Sequence, residues 1–309
     1  MPSKKFVSEQ QEGKNYLFWV LGGLFAIAAV VILLYSFIPF SPLQGCVGII
    51  SINGPIVSQD IPATIFSDEI KGSETIAQEI EAADRRSDVK SVLVLIDSPG
   101  GSVVASSEIY DAVHSLFKPS VSYINEIGAS GGYYVAAGTS HIISNPNAIV
   151  GSIGARATFS DMSGLFGKLG YNETSVKSGA MKDMGSPSRP MTPEEFAVIG
   201  SIVNESFAEF RSAVEEGRKG KLNSALFAQA LDARIMTGRQ AKKVGLVDEL
   251  GNKKAALKKA AELGGIESDE PSICELSERE SGRSLFGSLS SELIDFLMKS
   301  SGAPKLLYG

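Results

Sequence analysis

Apolar residues in this chain fall into one long uncharged run, several short β-branched runs and several stretches spaced for helices. The long run, residues 17–38, reads LFWVLGGLFAIAAVVILLYSFI. At 1.5 Å per residue, about 20 residues cross a hydrocarbon core, so it predicts an N-terminal transmembrane helix. Tyr16, Trp19 and Tyr35 stand near its ends, where amphipathic rings prefer the interface. A cleavable signal peptide has an apolar region of only about 7–15 residues. This run is longer and leaves through Pro39-Phe40-Ser41-Pro42, which favours a retained anchor. Lys4, Lys5 and Lys14 precede it, and no Lys or Arg follows until Lys71. The positive-inside rule therefore puts residues 1–16 in the cytoplasm and the large remainder outside it.

Beyond the anchor the period alternates between strand and helix. Residues 47–52 read as a strand ending at the turn Asn53-Gly54-Pro55. Ser73 is placed to cap a helix whose Ile76, Ile80 and Ala83 share a face. Residues 91–96, almost wholly apolar, read as a strand covered on both faces. A helix over 103–117, a strand over 120–124 and a small-residue helix over 131–137 follow. Strands at 141–143 and 171–176 flank a helix over 162–169. Thr192-Pro193-Glu194-Glu195 forms a capping box, opening a helix to about 216 with Val198, Ile202, Phe207 and Phe210 on its core face. This alternation predicts an α/β domain over 39–276 with a largely parallel sheet. The tail, 277–309, is Ser- and Gly-rich around an amphipathic stretch at 289–298.

Composition narrows the function. A net charge of −6 with no dense basic tract argues against nucleic acid as the main partner. Lys242-Lys243, Lys253-Lys254 and Lys258-Lys259 are interleaved with apolar residues and read as solvated helix faces. Cys46 and Cys274 would share an oxidising compartment, but a count of two does not distinguish a disulfide from two small buried hydrophobes.

Candidate chemistry concentrates after two strands. Asp97-Ser98-Pro99-Gly100-Gly101 stands between a buried strand and a helix, and is either an ordinary turn or a source of oxyanion-binding N–H groups. No phosphate-loop pattern is present. Ser130, in Gly128-Ala129-Ser130-Gly131-Gly132, sits at a second such junction, with the logic of a nucleophile elbow. A serine needs a base, and the two histidines serve poorly: His114 falls mid-helix and His141 follows the apolar strand pattern. Lys182 lies in a Gly- and Ser-rich segment from which it could fold back over Ser130. A lysine is a base only where burial or neighbours favour its neutral form, and spacing alone supports this one weakly.

Several motifs in order, Asp97-Ser-Pro-Gly-Gly101, Ala129-Ser-Gly-Gly-Tyr-Tyr134, Val150-Gly-Ser-Ile-Gly154, Lys177-Ser-Gly-Ala-Met-Lys-Asp183, Ser186-Pro-Ser-Arg189 and the run from Gly238 to Asp248, resemble the signal peptide peptidase A family. The short, single-repeat members, within the Clp protease/crotonase superfamily, match best. The resemblance covers about 47–263. It implies a spiral of parallel strands with helices, Ser130 as nucleophile, Lys182 as general base and Ser152 as the serine orienting that lysine. Gly100 or Gly101, with Gly131, would supply the oxyanion hole. It further implies no cofactor or metal, a homo-oligomeric ring at a lipid bilayer, and signal peptides and other membrane-associated peptides as substrates. Met181 departs from the family, where a His is common before the lysine. A stomatin-cutting membrane protease, a crotonase-type acyl-CoA enzyme and an inactive scaffold are the rival readings.

Overall fold

A computed structural model of the chain describes residues 45–65, 67–274 and 276, with Leu21, Leu24, Phe25, Ile27 and Leu33 before them. The chain divides into two units, Met1–Gln44 and Gly45–Gly309. In the first, the five described residues are helical and exposed. Among the described residues no helix is long and apolar enough to cross a membrane. The span expected over 17–38 falls mostly outside them, as does the tail at 277–309.

The second unit is built on one sheet. Its strands are β1 (Cys46–Asn53), β2 (Val89–Ser98), β3 (Ser120–Ala129), β4 (His141–Ser144), β5 (Ile149–Gly151), β6 (Ile235–Thr237), β7 (Glu249–Leu250) and β8 (Ile273–Cys274). The order is β6-β5-β3-β2-β1-β8, with β4 beside β3 and β7 beside β4. All pairs are parallel except β5 with β6. β3 serves two neighbours: residues from Val121 to Ile124 pair with β4, and those from Ile127 to Ala129 pair with β5.

Both faces are covered. On one lie α1 (Ser73–Arg85), α2 (Val103–His114) and α3 (Gly131–Ala137), burying Ile76, Ile80, Ile109 and Tyr133 against Ile50, Val92, Val94 and Ile96. The other takes α8 (Lys253–Leu263), whose Ala256, Ala260 and Ala261 let the helix approach Val47, Leu93, Val121 and Ile143 closely. Two-sided burial explains why β2 is apolar without alternation. Between these come α4 (Ser163–Leu169), α5 (Pro193–Gly217), α6 (Ser224–Ala230) and α7 (Gly238–Val244).

A buried ion pair ties the later elements to the sheet. Arg218, fully buried, grips both oxygens of Asp248 at 2.7 and 2.9 Å and donates to the Gly245 carbonyl. Asp248 also accepts the Ile142 N–H at 2.8 Å. Burial alone would push this carboxyl up, but the Arg218 and Lys221 hydrogen bonds hold it far below the usual carboxylate range. At the opposite sheet edge a disulfide joins Cys46 to Cys274 (Cα–Cα 5.6 Å), linking β1 to β8.

Several expectations need correction. Residues 171–176 form no strand: all six are exposed, four of them are polar, and no neighbouring edge pairs with them. Ser73 is not the cap of α1; Gly72 occupies that place, and the Ser73 hydroxyl donates to Glu108. α2 stops at His114, whose ring stacks on Tyr110 (centroids 5.3 Å apart), and Phe117 is fully exposed. The capping box of α5 forms as expected. Only the later half of that helix reaches the core, however: Phe210 is buried and Phe207 packs beside it, whereas Val198 and Ile202 are exposed.

Candidate active site

The site residues gather at the carboxyl ends of the parallel strands, where open α/β sheets leave a crevice. Register sets this: Asn53 of β1 stands beside Asp97 of β2, Ser98 beside Gly128 of β3, and Ala129 beside Gly151 of β5. Strand-to-helix junctions therefore fall side by side although they are far apart in sequence.

After β2 the backbone turns at Gly100 (φ +94°) and crosses the start of α3. A Cβ at Gly100 would stand 2.6 Å from Gly131 N and 2.8 Å from Ser130 Cβ, so only glycine fits this crossing. Gly101 is pressed as tightly onto the Ile56 backbone, where Ile56 N donates to Gly100 O and Ser102 N to Ile56 O. Ser98 Oγ accepts the Gly100 N–H at 3.1 Å. That N–H is thus already committed. Among the described residues, the N–H groups of Gly101 and Gly131 have no acceptor.

Ser130 has φ 52° and ψ −125°, outside the regions an L-residue ordinarily occupies. Such strain persists only where the surroundings enforce it. Here the Ser130 N–H donates to Gly151 O at 2.8 Å, and its carbonyl accepts from Tyr133 and Tyr134, each at 2.9 Å. Although Ser130 stands at the cap position of α3, its side chain makes no capping bond. At this half-buried turn the hydroxyl has no hydrogen-bond partner among the described residues. Ser152 is the second strained serine (φ 53°), with its N–H on Arg234 O at 3.0 Å.

From Ser152 the chain runs out into an arm, 155–192, that returns at α5. Lys182 lies there, in a 3-10 turn spanning Ala180–Asp183, and is exposed. Its amine has no hydrogen-bond or ion-pair partner among the described residues. The structure thus brings Ser130, Gly100, Gly131 and the β5–Ser152 turn together, and leaves Lys182 unattached to them.

Sequence reasoning assigned no role to the residues that fasten that turn. Asp183 is gripped by Arg189 through Nη2 at 2.8 Å and Nε at 3.2 Å, and by Lys177. The other edge of Arg189 forks onto Glu195, with Nη1 to Oε2 at 2.9 Å. Hydrogen bonds from Arg189 and then Lys177 hold the Asp183 carboxyl far below the usual range, and Arg189 lowers that of Glu195 to about 2. Lys177–Asp183 and Ser186-Pro-Ser-Arg189 were both visible as motifs of the resemblance, which gave these charged residues no role. His141 is not part of this site: it lies near Asp248 and Glu249, and burial lowers its proton affinity.

A strained serine at a strand-to-helix turn, crossed by a glycine loop on a parallel sheet, fits an α/β serine hydrolase. Comparison with known proteins narrows the class. Peptidase family S49 matches residues 113–267, and the Clp protease family matches residues 64–152. A candidate protease of Methanocaldococcus jannaschii is 39% identical over 225 residues, 72% of this chain and 71% of its own length. A candidate signal peptide peptidase SppA of Enterococcus faecium is 33% identical over 211 residues, covering 67% of this chain and 60% of that protein. Protease 4 of Salmonella typhi is 27% identical over 243 residues, 75% of this chain and 38% of that one. The chain belongs to peptidase family S49 and is a serine-type peptidase.

Proposed function

We propose that the chain is a membrane-anchored serine endopeptidase in which Ser130 attacks the peptide carbonyl and Lys182 is the general base. The carrying observation is Ser130 itself, whose strained backbone leaves an uncommitted hydroxyl against the Gly100 crossing. Neutral Lys182 takes the hydroxyl proton as the carbon–oxygen bond forms. The N–H groups of Gly131 and Gly101, which have no acceptor among the described residues, hold the developing oxyanion. Gly100 shapes the hole without donating to it, its N–H being bound to Ser98. Lys182 then returns the proton to the leaving amine, and water opens the acyl-enzyme with the lysine again as base. Ser152 orients the amine.

An exposed lysine is a poor base, so the arm must become covered for turnover. Its exposed Phe159, Met162, Leu165, Leu169 and Val176 supply the apolar surface for this, which supports a homo-oligomeric ring. The uncharged run at 17–38 supports an anchor with the catalytic domain extracytoplasmic. Together with the relative named a signal peptide peptidase, it favours signal peptides left in the bilayer as substrates.

The test is labelling of the full chain by a fluorophosphonate probe, with cleavage of a synthetic signal peptide followed by mass spectrometry. Wild type should label at Ser130 and cut the peptide, while Ser130→Ala and Lys182→Ala should do neither at a measurable rate. Cleavage retained in either variant overturns the dyad.

A further inference from the structure

Residues 171–182 are all exposed, and none of the Ala180–Asp183 turn is buried. Packing therefore does not fix Lys182. What does fix its turn is a chain of charged hydrogen bonds beginning at the next residue. Both Asp183 oxygens accept from Arg189, and the same guanidinium forks onto Glu195. Glu195 is 2% exposed and accepts the Thr192 N–H at 2.9 Å as part of the α5 capping box. One arginine thus joins the lysine-bearing turn to the rigid start of a 25-residue helix. Two-pronged contacts of this kind suit the planar guanidinium and not an ammonium.

The same contacts decide where the charge near Lys182 goes. A carboxylate free to approach an amine favours its protonated form. Asp183 is the adjacent carboxylate, and Arg189 with Lys177 occupies it. Other carboxylates of the arm and its return are also committed: Glu195 to Arg189, Glu173 to the Ser188 hydroxyl at 2.6 Å, and Asp161 to the Ser163 N–H at 2.9 Å. The Lys182 amine has no hydrogen-bond or ion-pair partner among the described residues.

We propose that Arg189, held between Asp183 and Glu195, is the positioning residue for Lys182: it ties the turn to α5 and keeps the Asp183 carboxylate away from the amine. This rests on the reading of Lys182 as the base. The experiment measures kcat and KM of the full chain across pH for Arg189→Met, Arg189→Lys and the double variant Arg189→Met with Asp183→Asn, beside Lys182→Ala. Arg189→Met should lower kcat about tenfold or more with KM within about twofold, and move the acidic limb of the profile up by about one pH unit. Adding Asp183→Asn should bring the limb back while kcat stays low. Arg189→Lys, which keeps the charge and one contact, should fall between, and it preserves the test should Arg189→Met fail to fold. An inactive Lys182→Ala beside an Arg189→Met whose limb does not move overturns the positioning role. Activity retained in Lys182→Ala overturns the dyad instead, and the positioning role with it.

Discussion

The Ser130 amide donates to the Gly151 carbonyl at 2.8 Å, so the two strained serines, Ser130 and Ser152, hang from adjacent residues of one strand pair. Ser152 follows Gly151 directly and leads into the arm that carries Lys182. The β3–β5 pairing thereby couples the Ser130 backbone to the root of that arm.

Neither Gly100 nor Gly101 should accept a side chain. Alanine at Gly100 places a methyl against Ser130 and Gly131 at a φ of +94°. It should lower kcat/KM about 100-fold or more, because the methyl pushes the Gly131 N–H out of the hole, and the backbone clash at this φ should lower the melting temperature. Alanine at Gly101 meets the Ile56 backbone and should lower the melting temperature as well. Kinetics and calorimetry on the two variants measure both effects; an alanine accepted without loss at either position would contradict the geometry.

The Arg218–Asp248 pair should be costly to break. Arg218→Met leaves Asp248, which is 12% exposed, without its main partner. Removing one member of a buried pair costs about 3–5 kcal/mol, a melting temperature lower by roughly 6–20 °C. A drop under about 2 °C would show that the pair is not structural.

Stability should also fall on mild acidification. Burial holds the folded His141 below the ordinary histidine value of 6.5, so the unfolded chain takes up the proton first. Stability is then fully present above about pH 6.5 and declines as pH drops below it. Urea unfolding of wild type and His141→Gln at pH 5.5 and 7.5 should show a smaller pH difference in the variant. The Asp248 carboxyl, depressed in the fold, adds its own loss only below about pH 4.

Reduction of the Cys46–Cys274 bridge should destabilise the sheet edge, because it frees a loop closed over 228 positions. Removal of a native disulfide costs about 2–5 kcal/mol. Thermal melting with and without reductant, and of Cys46→Ala with Cys274→Ala, measures it. Identical melting in both states would mean that β8 is held by its backbone pairing with β1 alone.

Sequence by itself determined the α/β character of the larger unit, its largely parallel sheet and most elements up to α5. Its β-branched runs, helical periods and the Thr192–Glu195 capping box act over a few residues, so local pattern was enough. Ser130 and the glycines around it were legible because strand-to-helix junctions announce themselves locally, and the motif order carried Lys182 and Ser152. Long-range geometry decided the rest. Only the fold shows that Ser98 takes the Gly100 N–H, that Cys46 meets Cys274, and that Arg189 bridges Asp183 and Glu195. It also withheld a strand at 171–176, where the chain has no partner edge. Each depends on groups brought together by strand register and helix placement, which no window of sequence contains.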